Sequence, residues 1–171
     1  NITSLPEGRE DILFLSNHRD IVLDSAFLDF LLVSNKRKTV EIGIGNNLLI
    51  YPWIKTLVRL NRSFIVNRSA SRTELMQSSQ QLSDYIRFVI TRKKSSLWLA
   101  QREGRAKDSN DRTQSSVLKM LLMSGEGTIA EKIKSLHITP LTISYEFDPC
   151  DYLKAEEFQQ KRDNPAYRKS K

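Results

Sequence analysis

The chain is 171 residues long and carries 27 Lys and Arg against 20 Asp and Glu, with two His and one Cys. That length suits one domain with a sizeable core; a single Cys excludes an internal disulfide framework, and so few His and Cys, none at ligand spacing, argue against a metal site. The net charge of +7 suits an anionic partner: a phosphorylated substrate, an anionic lipid surface or nucleic acid. No apolar run approaches the length of a membrane span and no signal-peptide pattern opens the chain, so it is expected to be soluble or peripheral. It begins at Asn1 rather than Met and ends in a basic tail, which fits a fragment of a longer protein; residues 1–171 are read as one domain.

Residues 1–11 are polar, with Pro6 and Gly8, and lead into a short apolar strand at 12–15. An Asn17-His18 pair ends it. The helix that follows, over 25–33, is apolar around most of its circumference, which predicts deep burial or partial contact with lipid. Lys36, Arg37 and Lys38 close it with charge suited to a helix C-terminus. Residues 39–44 form a second strand ended by Gly43 and Gly45, read as turn glycines because no wider phosphate-loop pattern surrounds them. Residues 48–60 mix Leu, Ile, Tyr51 and Trp53 with cations only at Lys55 and Arg59, the pattern of an interfacial helix or of a core helix with a cationic outer face, kinked or begun at Pro52.

A third strand, 63–66, delivers Asn67 and Arg68. Ser71 and Glu74 have capping-box spacing and open a long helix whose inner face is predicted from Leu75, Leu82, Ile86 and Val89. The strand 96–100 delivers Gln101 to Arg105, the start of an Arg-rich stretch that suits either a phosphate clamp or a self-neutralising surface loop. Short helices follow over 115–124 and 129–136. Residues 138–147 read as a strand whose alternation continues past Pro140, and Pro in a strand implies an edge or a bulge. His137 has no carboxylate at useful spacing and is expected to be structural. Cys150 sits in an acidic turn, unlike the setting of a reactive thiol. Residues 148–171 are polar and look incomplete as a closing element. Strands alternating with helices predict an α/β fold with a central mixed sheet flanked by helices.

The chemistry concentrates at the end of the first strand. His is the side chain best suited to general-base work near neutral pH, provided one ring nitrogen is held by an orienting group. Asp24 and Asp20 both follow His18 closely enough to serve. The same residues also suit a helix N-cap, with Asn17 or Asp20 as the cap.

The stretch around His18 resembles the first motif of the glycerolipid acyltransferases, which include the 1-acyl-glycerol-3-phosphate (lysophosphatidate) acyltransferases. That motif is Asn-His and then an Asp, with four residues between His and Asp; here Asp24 comes one residue later. Phe64-Ile65-Val66-Asn67-Arg68 is similar to the second motif. Gln101-Arg102-Glu103-Gly104-Arg105 is similar to the third, usually Pro-Glu-Gly-Thr-Arg, and Ile138-Thr139-Pro140-Leu141-Thr142 to the fourth.

The resemblance implies that His18 is the catalytic base, with Asp24 as its partner and Asp20 as the alternative. It implies that Arg68, Glu103, Gly104 and Arg105 bind the substrate phosphate and that Pro140 lies in the acyl-donor region. No cofactor is implied; acyl-CoA or acyl-carrier protein is the co-substrate. The implied reaction, part of phospholipid biosynthesis, acylates 1-acyl-glycerol-3-phosphate to phosphatidate at the cytoplasmic face of a membrane, with the enzyme bound peripherally. Glycerol-3-phosphate, another lysophospholipid or an amino-lipid would suit the same chemistry. The competing class is a non-catalytic basic module that binds anionic lipid. Nucleic acid is not an expected partner, because most aromatics sit in apolar helices and strands rather than among exposed cations.

Overall fold

The computed structural model describes residues 5–49, 51–67, 71–102, 104–105 and 111–167. Five strands, β1 (Leu13–Ser16), β2 (Glu41–Gly45), β3 (Ser63–Val66), β4 (Leu97–Ala100) and β5 (Ile138–Leu141), form one sheet in the order β3-β2-β4-β1-β5. The α/β class and central sheet agree with the sequence pattern. In detail the described pairings are all parallel, where a mixed sheet was expected. Each connection between consecutive strands contains a helix, and a helical crossover returns the chain to the same end of the sheet.

The helices are α1 (Leu23–Ser34), α2 (Pro52–Leu60), α3 (Arg72–Thr91), α4 (Ser115–Leu121), α5 (Ile129–Lys134) and α6 (Asp151–Asp163). The path from β1 through β2 to β3 steps one way across the sheet, and the path from β3 through β4 to β5 steps back. Right-handed crossovers therefore place α1 and α2 on one side and α3, α4 and α5 on the other. Alternation along the strands supplies two cores to match. Leu13, Leu97 and Leu99 pack with Ile86, Val89 and Ile90 of α3 and Met120 and Leu121 of α4. Phe14, Ile42 and Trp98 pack with Leu28 and Leu32 of α1. The crevice between the C-terminal ends of β1 and β4 is the point where the winding reverses, the usual place for a ligand in an open parallel sheet.

One alternative is settled, the start at Pro52, and two local expectations are corrected. The helix at 48–60 begins at Pro52, after a single 3-10 turn (Asn46–Leu48), because Pro fits the first helical turn and breaks anything before it. Leu75, assigned to the inner face of α3, is 50 % exposed while Ile86 and Val89 are fully buried, so the packed face of α3 lies in its later turns. The last strand ends at Leu141 rather than 147. As β5 is an edge strand, Pro140 costs no ladder bond on its open side.

The apolar circumference of α1 is split. Leu28 and Leu32 are buried, whereas Phe27, Phe30, Leu31 and Val33 are exposed, Phe30 to 68 %. On α2, Val58 is buried and Trp53, Leu57 and Leu60 face outward. Among the described residues no helix is long and apolar enough to cross a membrane. The tail that looked incomplete supplies α6, whose Lys154 is 6 % exposed and reaches back into the turn after β1.

Candidate active site

Ser16 ends β1 fully buried, its hydroxyl donating to the Asn17 carbonyl at 2.6 Å and accepting from Trp98 Nε1 at 3.0 Å. That bond ties the exit of β1 to the neighbouring strand β4. The chain then turns sharply. Asp20 Oδ1 accepts from the N–H groups of Val22 and Leu23, both at 2.9 Å, and so braces the turn that leads into α1, whose N-cap is Val22. Asp24 stands in the first turn of α1, where a negative charge is favoured by the helix dipole.

The turn wraps around the Asp24 carboxylate. Its Oδ2 lies 2.9 Å from His18 Nδ1 and accepts from the N–H groups of Arg19 at 2.8 Å and Asp20 at 3.0 Å. The additional residue between His18 and Asp24 is taken up in this wrap, so the longer spacing still closes the pair. Asp24 is 0 % exposed. Burial pushes its carboxyl up, but the hydrogen bonds from His18, the Asp20 N–H, Tyr145 and the Arg19 N–H outweigh it and hold the group below its ordinary value.

A carboxylate is an acceptor only, so Nδ1 carries the proton and Nε2 keeps the lone pair. This is the tautomer a general base requires. The His18 side chain is 15 % exposed, and its ring meets Trp98 edge-on with centroids 5.9 Å apart. His18 therefore has one nitrogen held, one free to act, and an apolar wall beside it.

Both sequence alternatives for the His18 partner are used, in different roles. The structure brings Asp24 to the imidazole and Asp20 to the turn ahead of α1. Asn17, the other cap candidate, reaches away from α1 instead. Its Nδ2 donates to the Ile143 carbonyl at 2.9 Å and to Asp111 Oδ2 at 3.2 Å, and its Oδ1 accepts from the Ile143 N–H at 2.8 Å. Arg19 is held by Asp148, 2.7 Å from its NH2, and by Asp111, 3.6 Å from its NH1. Lys154 donates to the Arg19 carbonyl at 2.9 Å and pairs with Asp148.

The loop leaving β4 starts at the same sheet edge as His18. Gln101 donates from its backbone N–H to the Ser16 carbonyl at 2.7 Å and from Nε2 to the Asp111 carbonyl at 2.7 Å. Gly104 has φ +74° with no atom within 4 Å of where a Cβ would stand, a left-handed position beside open space. Arg105 follows it, half-buried. Arg68 and Glu103 lie outside the described residues. Pro140 is exposed on edge strand β5, in register with Leu15. Among the described residues no group of three or more His, Cys, Asp or Glu is placed to hold a metal ion.

Sequence reasoning missed Trp98, Asn17 as a clamp, and Tyr145, whose hydroxyl donates to Asp24 Oδ1 at 2.8 Å. The alternation past Pro140 was the signal for Tyr145. Ile143 and Tyr145 do turn inward while 142, 144 and 146 are exposed, but they turn onto the site and not onto a sheet neighbour. His137 stands at the opposite end of the sheet, its Nδ1 2.8 Å from the Asp11 carbonyl and 3.5 Å from the Asp11 carboxylate. That partner is too distant in sequence for spacing to reveal.

The sequence model of the family described as Acyltransferase matches residues 1–144, most of the chain. No curated protein matches it.

Proposed function

The chain belongs to the acyltransferase family, and from that premise we propose that it moves a fatty acyl group from an acyl thioester, acyl-CoA or acyl-carrier protein, to the free hydroxyl of 1-acyl-glycerol-3-phosphate. The observation that carries this reading is the His18–Asp24 pair at the crevice between β1 and β4. His18 Nε2 takes the proton of the glycerol hydroxyl as its oxygen attacks the thioester carbonyl. Asp24 holds Nδ1 and balances the imidazolium that forms. The tetrahedral intermediate then collapses. The new C–O bond stays, the C–S bond breaks, and the leaving thiolate takes the proton back from Nε2. The products are phosphatidate and a free thiol.

Gly104 and Arg105, with Arg68 and Glu103, are the groups we assign to the acceptor's phosphate, the guanidinium binding phosphate oxygens in bidentate fashion. Pro140 belongs to the acyl-donor region. The outward apolar stripes of α1 and α2 support a membrane surface as the place of work, since both reactants carry acyl chains and both helices lie on one side of the sheet. The altered third motif favours a second reading for the acceptor alone: glycerol-3-phosphate, another lysophospholipid or an amino-lipid, acylated by the same pair.

The test is acyl transfer from acyl-CoA and from acyl-carrier protein to a panel of these acceptors in mixed micelles. Wild type is expected to make phosphatidate. His18→Ala is expected to lose on the order of 10²–10⁴-fold in kcat while remaining folded, and Arg105→Ala to raise KM for the phosphorylated acceptor. A folded His18→Ala variant with wild-type turnover would overturn the mechanism. Transfer to a different acceptor only would replace the substrate assignment and keep the chemistry.

A further inference from the structure

We propose that Tyr145 is a positioning residue for acyl transfer: its hydroxyl, brought over the site by the clamp between Asn17 and Ile143, pins the Asp24 carboxylate so that Oδ2 faces the His18 ring. The inference rests on the general-base role given to His18 above.

The two Asp24 oxygens are served differently. Oδ2 receives the His18 ring and two backbone N–H groups, all from the turn that Asp24 itself closes. Oδ1 receives Tyr145, from a segment 121 residues away in sequence. The two oxygens turn together about the terminal torsion, so a donor on Oδ1 adds its restraint to the three on Oδ2. Tyr145 therefore supplies what the local turn cannot, a hold on the far oxygen. It lies one residue beyond the stretch that matches the family.

The hydroxyl is itself held in place. The two backbone hydrogen bonds of Ile143 to Asn17 bring the segment after β5 back across the exit of β1. The Tyr145 ring lies 6.0 Å from that of Phe27, tilted by 45°. Burial, the bond to Asp24 and the nearby charges of Asp24, Asp20 and Asp148 all push the phenol up, so it remains a protonated donor throughout the working range.

The charged groups around the pair come from every neighbouring segment. Asp20 and Arg19 belong to the same turn, Asp111 to the segment after β4, Asp148 to the segment after β5 and Lys154 to α6. Arg19 is matched by Asp148 and Asp111, and Lys154 by Asp148.

The test compares wild type with Tyr145→Phe, which deletes one oxygen. Without the hydroxyl, negative charge gathers on Oδ2 and the imidazolium is better stabilised. The acid limb of the pH–kcat profile is expected to move to higher pH. Its plateau is expected to fall on the order of ten- to a hundredfold, with KM unchanged, because the carboxylate loses one of its four restraints and orients the ring less tightly. NMR titration of the His18 ring is expected to show the same upward shift in a readout independent of turnover. His137, at the far end of the sheet, serves as the fold control and is expected not to move.

If wild type transfers no acyl group, the functional reading fails, and the ring titration still decides whether Tyr145 acts on His18 through Asp24. An unchanged profile with an unchanged ring titration overturns the proposal, as does a shift to lower pH. Should Tyr145→Phe fail to fold, a fluorotyrosine placed at 145 makes the hydroxyl a stronger donor and is expected to move the ring titration downward; no movement overturns the proposal equally.

Discussion

At the scale of single residues, the two aspartates of the first turn separate cleanly. Asp24→Asn removes a buried charge that accepts from His18, from two backbone N–H groups and from Tyr145. An amide in its place favours the wrong imidazole tautomer, and kcat is expected to fall on the order of 10⁴-fold. Asp20→Asn keeps an oxygen for the N–H groups of Val22 and Leu23, and Asn serves such a turn about as well as Asp; turnover is expected to change little and stability by less than about 1 kcal/mol. Steady-state assays on the two variants measure the contrast, and equal losses would refute the division of roles.

Asp24 also makes a signed prediction about acid. Its folded-state carboxyl lies below the ordinary value of 3.8, so the folded state binds the proton more weakly than the unfolded chain. The stabilisation is fully present above 3.8 and is lost as pH falls through the lower folded value. Urea midpoints measured from pH 6 downward are expected to drop more steeply below about pH 4 for wild type than for Asp24→Asn. Parallel curves would show that the charge contributes nothing to the fold.

The elements differ in how openly the sequence declares them. The pair of His18 and Asp24 was legible because one turn closes it. The strands were legible because their apolar runs are short and bounded by turns, and β3 matches its expected span residue for residue. Alternation misled at 142–147. It reports that every second residue turns inward, and it is silent on whether a sheet or a site lies there. The helix α6 was missed because its contribution to the interior is an ammonium group: Lys154 is the buried residue of that helix, and an apolar periodicity does not register it.

The junction between α3, α4 and α5 gives an element-scale test. Arg87 of α3 donates to Ser124 at 3.0 Å and Ser135 at 2.6 Å, threading the turn where Gly125 has φ +84°. A Cβ on Gly125 would stand 2.6 Å from the guanidinium carbon. Gly125→Ala combines a left-handed backbone with a displaced, hydrogen-bonded Arg, and is expected to cost about 2 kcal/mol or more in chemical unfolding. A cost below about 0.5 kcal/mol would mean the turn relaxes freely.

At the scale of the whole molecule, the core is layered in two and apolar residues also reach the outside. Ile86 is fully buried against β1 and β4 from α3, and Ile86→Ala is expected to cost about 2–5 kcal/mol. The side that carries α1 and α2 has apolar residues outside as well as in. Trp53→Ser combined with Leu57→Ser removes exposed apolar area from α2 without touching buried Val58. Binding to vesicles of phosphatidylglycerol and phosphatidylcholine, followed by sedimentation, is expected to weaken in this double variant. Raising salt is expected to weaken it further, given a net charge of +7. Unchanged sedimentation would place the lipid contact elsewhere.

The position of β1 bears on how the chain is made. Of the five described strands β1 is synthesised before the others, and in the finished sheet it is flanked by β4 and β5, made after β2 and β3. Its sheet partners are absent until β4 and β5 have been synthesised, and the tyrosine that reaches Asp24 emerges after both. Such pairing between distant segments folds slowly and exposes strand edges while it waits. The strand that leads to His18 is thus an open edge, available to a chaperone or another unfinished copy, until those later partners arrive.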